Sequence, residues 1–248
     1  MGTFISKFDT TAELAAFSGT SDCLKPHVSL TKDDGQVHFF EDPYKGHAYV
    51  EIGGVKWATM NIGATGVTDY GLYFQWGDTQ GYTASQVGSS EGKKYFGWSD
   101  YKYGNGTSSP GATDITKYNA TDGKTVLDAS DDAAQANWGG QWRMPTEADF
   151  QTLLSSATNK WVTNYQDSGV NGRLFTDKTD SSKILFFPAC GYCNLGIVSG
   201  SRSYGYYWSS SLDSSNVVNS HLLYFYSGLC DIYNGIRYYG VSVRGVVG

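Results

Sequence analysis

The residues with the most chemical reach are four cysteines, four histidines and two pairs of adjacent aspartates. Cys190 and Cys193 stand in "CGYC", the spacing shared by redox motifs and by half of a zinc site. Zinc would need a second, similar pair of ligands, and the sequence holds none. Dithiol redox chemistry wants a helix after the motif, whereas "NLGIVSG" follows here and reads as loop. Cys190 and Cys193, with Cys23 and Cys230, are therefore read as free structural thiols; a disulfide and a metal or redox role stay as the alternatives. His27, His38, His47 and His221 are scattered along the chain and read as ordinary surface or packed histidines. Asp33-Asp34 and Asp131-Asp132 lack the ligand-rich spacing of a calcium loop. They fit turn or helix-start chemistry instead. "WSSSLDSS" offers serines but neither a neighbouring histidine base nor a G-x-S-x-G elbow.

A different chemistry stands near the end, in "LLYFYSGLCDIYNGIRYYG" (222–240). Tyrosine gives large amphipathic contact area for little rotamer entropy, and serine and asparagine add adaptable hydrogen bonds, as antibody loops use them. Either Tyr224, Tyr226, Tyr233, Tyr238 and Tyr239 face a ligand, or they pack on a sheet.

The whole chain of 248 residues sets the frame: 31 Gly, 19 Tyr, 7 Trp and only 17% charged residues. That composition favours short strands and much irregular loop. A net charge of −6 and no basic stripe beyond Lys93-Lys94 argue against a nucleic-acid partner. No apolar run is long enough to insert into a membrane. "MGTFISKFDTTAEL" has no apolar core of the secretory-leader kind, so either export does not use that route or a leader has been replaced.

The elements expected to position these residues run as follows. Residues 1–45 read as a small appendage: a short helix in "TTAELAAF", then two strands about an Asp-Gly turn in "HVSLTKDDGQVHFF". Residues 48–64 read as paired strands with a turn at Gly53-Gly54. Residues 66–127 read as long loops pinned by aromatic rings. Two helices are expected, over 128–140 and over 144–157, the second with Thr146 as N-cap and Asp149 completing a capping box. Its apolar face is Phe150, Leu153 and Leu154. Strands return in "KILFFPACGY", "YGYYWSSS", "SHLLYFYSG" and "YYGVSVRGVV". In "SHLLYFY", alternation separates His221, Leu223 and Phe225 from Leu222, Tyr224 and Tyr226. The fold class is α+β: mostly short antiparallel strands, two helices and long ordered loops.

The ordered segments "YVEIGGVKWATMNIGA", "YGLYFQWGDT", "ANWGGQWRMPT", "GYYWSSS" and "YYGVSVRGV" resemble the Fibrobacter-type major paralogous domain of Bacteroides-like bacteria and their phages. That domain is similar to the formylglycine-generating-enzyme branch of the C-type lectin fold. The resemblance covers about residues 46–248. It implies one domain there, its first and last strands paired in one sheet, and a ligand face in the last third.

The end of the chain, "GYYWSSS…LYFYSG…NGIRYYGVSVRGV", looks like the variable region of proteins diversified by retroelements. In that family a reverse transcriptase mutates adenines in asparagine codons whose third base stays a pyrimidine, so Lys, Gln, Glu, Met and Trp cannot arise. None of these five occurs in residues 212–248, although they form roughly one residue in six of residues 1–208.

The resemblance implies a non-catalytic binding protein that takes no cofactor and no metal. Its hypervariable surface, about 212–239, would meet a protein or glycan on a cell or host surface. The expected contacts are Asp213, Ser214, Asn216, Leu222, Tyr224, Tyr226, Asp231, Tyr233, Asn234, Ile236, Tyr238 and Tyr239. Trp208, Phe225, Gly228, Arg237, Gly240, Val243 and Arg244 match unvaried positions and are expected to hold the fold. Residues 1–45 are expected to attach the domain to a virion or a surface assembly, with phage or cell-surface display as the location. Two other readings remain: a copper oxidoreductase like the sulfatase-modifying relatives, whose Arg-Gly-Gly-Ser-type cysteine segment is missing here, and a calcium-independent glycan-binding lectin.

Overall fold

The computed structural model describes residues 4–8, 27–31, 37–40, 43–106 and 114–247. It divides into two compact units, one of residues 1–48 with 139–141 and one of residues 49–138 with 142–248. In the first unit, β1 (Phe4–Phe8), β2 (His27–Thr31) and β3 (Val37–Phe40) form a sheet in that order, β1–β2 parallel and β2–β3 antiparallel. The β2–β3 pair is the expected hairpin. The expected helix in "TTAELAAF", the Asp33-Asp34 turn and Cys23 lie outside the described residues.

Among its described residues the second unit is mixed α+β, mostly short antiparallel strands with two helices, and none of these sheets closes into a barrel. β4 (Tyr49–Ile52) and β5 (Val55–Ala58) meet across a two-residue turn, Ile52 opposite Val55. Gly53 and Gly54 both have positive φ (62° and 80°), which a two-residue hairpin of this twist requires. Next come β6 (Tyr73–Phe74), α1 (Ala133–Trp138) and α2 (Glu147–Ser156). A meander follows of β7 (Ala157–Val162), β8 (Gly172–Asp177) and β9 (Ile184–Pro188), then the hairpin of β10 (Tyr192–Asn194) and β11 (Ile197–Ser199). The chain ends in β12 (Gly205–Leu212), β13 (Asn219–Tyr226), β14 (Leu229–Ile236), β15 (Val241–Ser242) and β16 (Val246–Val247).

The central sheet has the order β14-β13-β12-β15-β6, and β16 returns to β5 in a separate sheet β16-β5-β4. The first and last strands of this unit thus share a sheet. Alternation along β12 and β13 sends Trp208 and Leu222 into one core and Tyr207, Leu223 and Phe225 into another. Trp76, Tyr101, Tyr118 and Val243 complete the first core; Trp57, Phe150, Leu153 and Phe187 complete the second.

Helix α2 starts as its sequence dictates. Thr146 Oγ1 accepts from Asp149 N at 3.2 Å, and Asp149 Oδ2 accepts from Thr146 N at 2.7 Å. The other expected helix is shorter than 128–140. Asp132 adopts an extended backbone (φ −86°, ψ 116°) and spends its carboxylate on Ala134 N and Gln135 N. That splits the run into a 3₁₀ turn (Ala129–Asp131) and the six residues of α1. The described residues of the segment 66–127 (66–106 and 114–127) are loop apart from β6, isolated bridges and short 3₁₀ turns. Buried Tyr101, Tyr103 and Tyr118 pin it, as does Asp131, which accepts from Lys102 Nζ (3.0 Å), Tyr118 Oη (2.6 Å) and Lys117.

Candidate functional site

The register of β12–β13–β14 sets one face. Tyr206 lies opposite Tyr224, and Tyr224 opposite Asp231; Trp208 lies opposite Leu222, and Leu222 opposite Tyr233. Directly opposed residues share a face, so Tyr206, Leu222, Tyr224, Tyr226, Asp231 and Tyr233 form one surface. The core ends along it: Leu222 is buried, Tyr224 and Tyr226 are half-buried, and Tyr233 is 48% exposed. This face carries the residues that alternation in "SHLLYFY" separated from Leu223 and Phe225.

The rings touch in a continuous series. Tyr224 lies 4.8 Å from Tyr206, 5.3 Å from Tyr233 and 5.9 Å from Tyr226, between ring centroids. Tyr204 stacks at 6.1 Å on Tyr224. Tyr192 joins Tyr206 at 4.9 Å to Tyr239 at 5.2 Å, and Tyr239 meets Tyr238 at 5.0 Å. Burial, and the neighbouring Tyr224 and Tyr192 phenols after it, push the Tyr206 hydroxyl well above the usual phenol range. Burial likewise raises Tyr224, Tyr238 and Tyr239. At neutral pH these phenols keep their protons, and each can both donate and accept a hydrogen bond. A hollow of about 150 Å³ opens among Tyr206, Tyr224, Tyr233 and Tyr239, with Leu222 and Gly235 at its floor and Asn234 at its side.

The remaining sequence-derived contacts divide by depth. Ser214 and Asn216 are exposed on the turn after β12, while Asp213 is only 4% exposed. Asp213 Oδ1 accepts from Ser215 N (3.0 Å) and Asn216 N (3.2 Å), and its Oδ2 accepts from Asn234 Nδ2 (2.7 Å). It therefore builds the turn and ties it to β14. Asp231 and Asn234 are exposed, and Ile236 and Tyr239 are half-buried. Tyr238 is buried, its ring 4.9 Å from Trp98. Sequence reasoning did not place Tyr192, Tyr204 or Tyr206 on this face. For Tyr204 and Tyr206 the signal was present: they stand at i and i+2 in "YGYYW", the period of Tyr224 and Tyr226.

Among the framework residues, Trp208, Phe225, Arg237, Gly240, Val243 and Arg244 are buried and Gly228 is exposed. Arg244 donates to Asn61 Oδ1 (2.9 Å), Ala58 O (2.9 Å) and Phe186 O (3.1 Å).

The described thiols are buried or half-buried. Cys190, Cys193 and Cys230 are all free, and the first two are buried. Burial raises the Cys190 thiol; Tyr207 Oη lies 3.1 Å from its sulfur and Asn61 Nδ2 donates to it at 3.4 Å. Burial also pushes Cys193 up, and Cys230 to about 12. A reactive thiol needs the opposite shift. His221 lies with Nε2 3.5 Å from Glu147 Oε2. Among the described residues no three His, Cys, Asp or Glu side chains gather as a metal site, and no helix is long and apolar enough to cross a membrane.

A family model described as a domain of unknown function (DUF8237) matches residues 173–246, which span the meander's last two strands and the whole tyrosine face. No curated protein and no solved structure matches the chain.

Proposed function

We propose that the protein is a non-catalytic binding protein that meets its ligand with the tyrosine face of β12–β14. The ligand is a protein or glycan on a cell or host surface. The carrying observation is the series of partly exposed rings from Tyr239 through Tyr192, Tyr206 and Tyr224 to Tyr233, beside the polar turn of Ser214 and Asn216. Rigid aromatic anchors beside adaptable polar groups are what recognition surfaces use. The scaffold we propose is a C-type lectin fold of the formylglycine-generating-enzyme-like branch. The return of β16 to β5 supports it, as does the absence of Lys, Gln, Glu, Met and Trp from residues 212–248 for the diversified tail. On this reading residues 1–45 attach the domain to a virion or surface assembly.

The test is a triple variant, Tyr224→Ala, Tyr226→Ala and Tyr233→Ala, screened with the wild type on arrays of glycans and of cell-surface proteins. The wild type should retain at least one ligand that the variant loses, with melting nearly unchanged. A variant that binds as the wild type does, or that fails to fold, would overturn the reading in favour of simple packing.

A further inference from the structure

We propose that the hollow between Tyr206, Tyr224, Tyr233 and Tyr239 is an aromatic cage for an alkylammonium group, filled by a lysine side chain of a partner protein. The proposal rests on the reading of the tyrosine face as a binding surface and names what enters it.

Three observations carry it. The first is shape. The Tyr206 and Tyr224 rings meet at 43° and the Tyr224 and Tyr233 rings at 72°, so they wall a hollow instead of presenting a flat platform. A sugar ring stacks best on a platform; a compact cation is best enclosed by several ring faces, whose quadrupoles are negative. The second is size. A hollow of about 150 Å³ is well above the roughly 10–15 Å³ that a single water needs, so it admits a group of several heavy atoms. A lysine side chain has five heavy atoms beyond its Cα.

The third is charge. The chain carries a net charge of −6. Asp231 is exposed directly across the strand pair from Tyr224, and the Asp213 carboxylate reaches the rim through Asn234. Among the described residues no lysine or arginine lines the hollow, and its floor, Leu222 and Gly235, offers no side-chain donor. Gly235 keeps that floor low. A Cβ there would lie 2.5 Å from Leu222 Cδ2 and 3.0 Å from Trp208 Cη2, pushing Leu222 into the space.

The experiment titrates the full chain, followed by NMR, with Nα-acetyl-lysine methylamide, its norleucine counterpart and methyl glucoside. The lysine probe should saturate in the millimolar range, with the norleucine probe about tenfold weaker or worse. Tyr233→Phe should keep the lysine probe, Tyr233→Leu should lose about tenfold, and Asp231→Asn should weaken it a few-fold. Equal binding of both amino-acid probes, binding of the glucoside alone, or no binding of the lysine probe would each overturn the cage. If the cage fails while the triple alanine variant still loses its array ligand, the surface reading stands. If that variant keeps the ligand, the surface reading itself has failed.

Discussion

The Arg237 guanidinium lies 4.6 Å from the centroid of the Trp76 ring. Its donors reach Tyr101 Oη (2.8 Å) and the carbonyls of Tyr118, Val217 and Lys117 (2.9 Å each). Among the described residues no carboxylate pairs with it. One side chain therefore ties the end of β14 to Tyr101, to residues 117–118 and to the turn before β13. Arg237→Met would leave four acceptors, three of them buried, without this donor, at a cost of about 3 kcal/mol or more. Urea unfolding should show the midpoint drop. A midpoint within error of the wild type would mean that the carbonyls find other partners.

Gly205 faces Phe225 across β12–β13, and a Cβ there would sit 2.0 Å from Phe225 Cζ. The outer edge of the Phe225 ring fills the space over the glycine, on the core side of the sheet opposite the tyrosines. Gly205→Ala should cost about 1–3 kcal/mol through overpacking. Phe225→Leu in the same chain should recover part of that loss, although alone it destabilises. A double-mutant cycle with no coupling between the two positions would contradict the packing.

Local chemistry made parts of this structure legible. The Thr146–Asp149 box, the Gly53-Gly54 turn and the two faces of "SHLLYFY" each rest on residues close in sequence, and each is found. Depth was not legible. Alternation puts Leu222 and Tyr224 on one face, but only the position of Trp208 across the pair makes Leu222 a floor and Tyr224 a wall. The strands β7 and β8 escaped because "ATNKWV" and "GRLFTD" mix polar and apolar residues without a clear period, and pairing with β9 decides them. Tyr192 joins the face only because β10 comes back beside β15 through Cys193 and Gly240, a contact between residues 47 positions apart.

Tyr233 and Tyr238 were expected in the same role, yet one is 48% exposed and the other 9%. Tyr238 packs against Trp98 and Tyr239, so Tyr238→Ala should cost about 3 kcal/mol as a large-to-small core change. Tyr233→Ala should stay within about 0.5 kcal/mol of the wild type. Thermal melts of the two single variants separate scaffold from surface. Equal losses would place both rings in the core.

Acid should unfold the second unit through Asp131 and Asp149. Burial opposes ionisation of Asp131, but hydrogen bonds from Lys117, Tyr103, Tyr118 and Lys102 outweigh it and hold the carboxyl well below the usual range. At Asp149 burial is likewise outweighed, by Arg143 at 2.7 Å and by Thr146. A folded value below the unfolded one contributes stability above the ordinary carboxylate pKa and loses it as pH falls through that value toward the folded one. Asp132 works in the opposite sense: burial raises it despite three backbone N–H donors, so its cost is relieved as pH falls. Asp69, Asp128, Asp177 and Asp180 are lowered as well, so the depressed carboxylates outnumber the one raised, and stability should decline from about pH 4 downward. Asp131→Asn should lower stability at pH 7 and flatten that decline, because the group that titrates is gone. The check is a series of urea midpoints from pH 7 to pH 2.5 for both proteins. Parallel curves would show that Asp131 does not drive the acid limb.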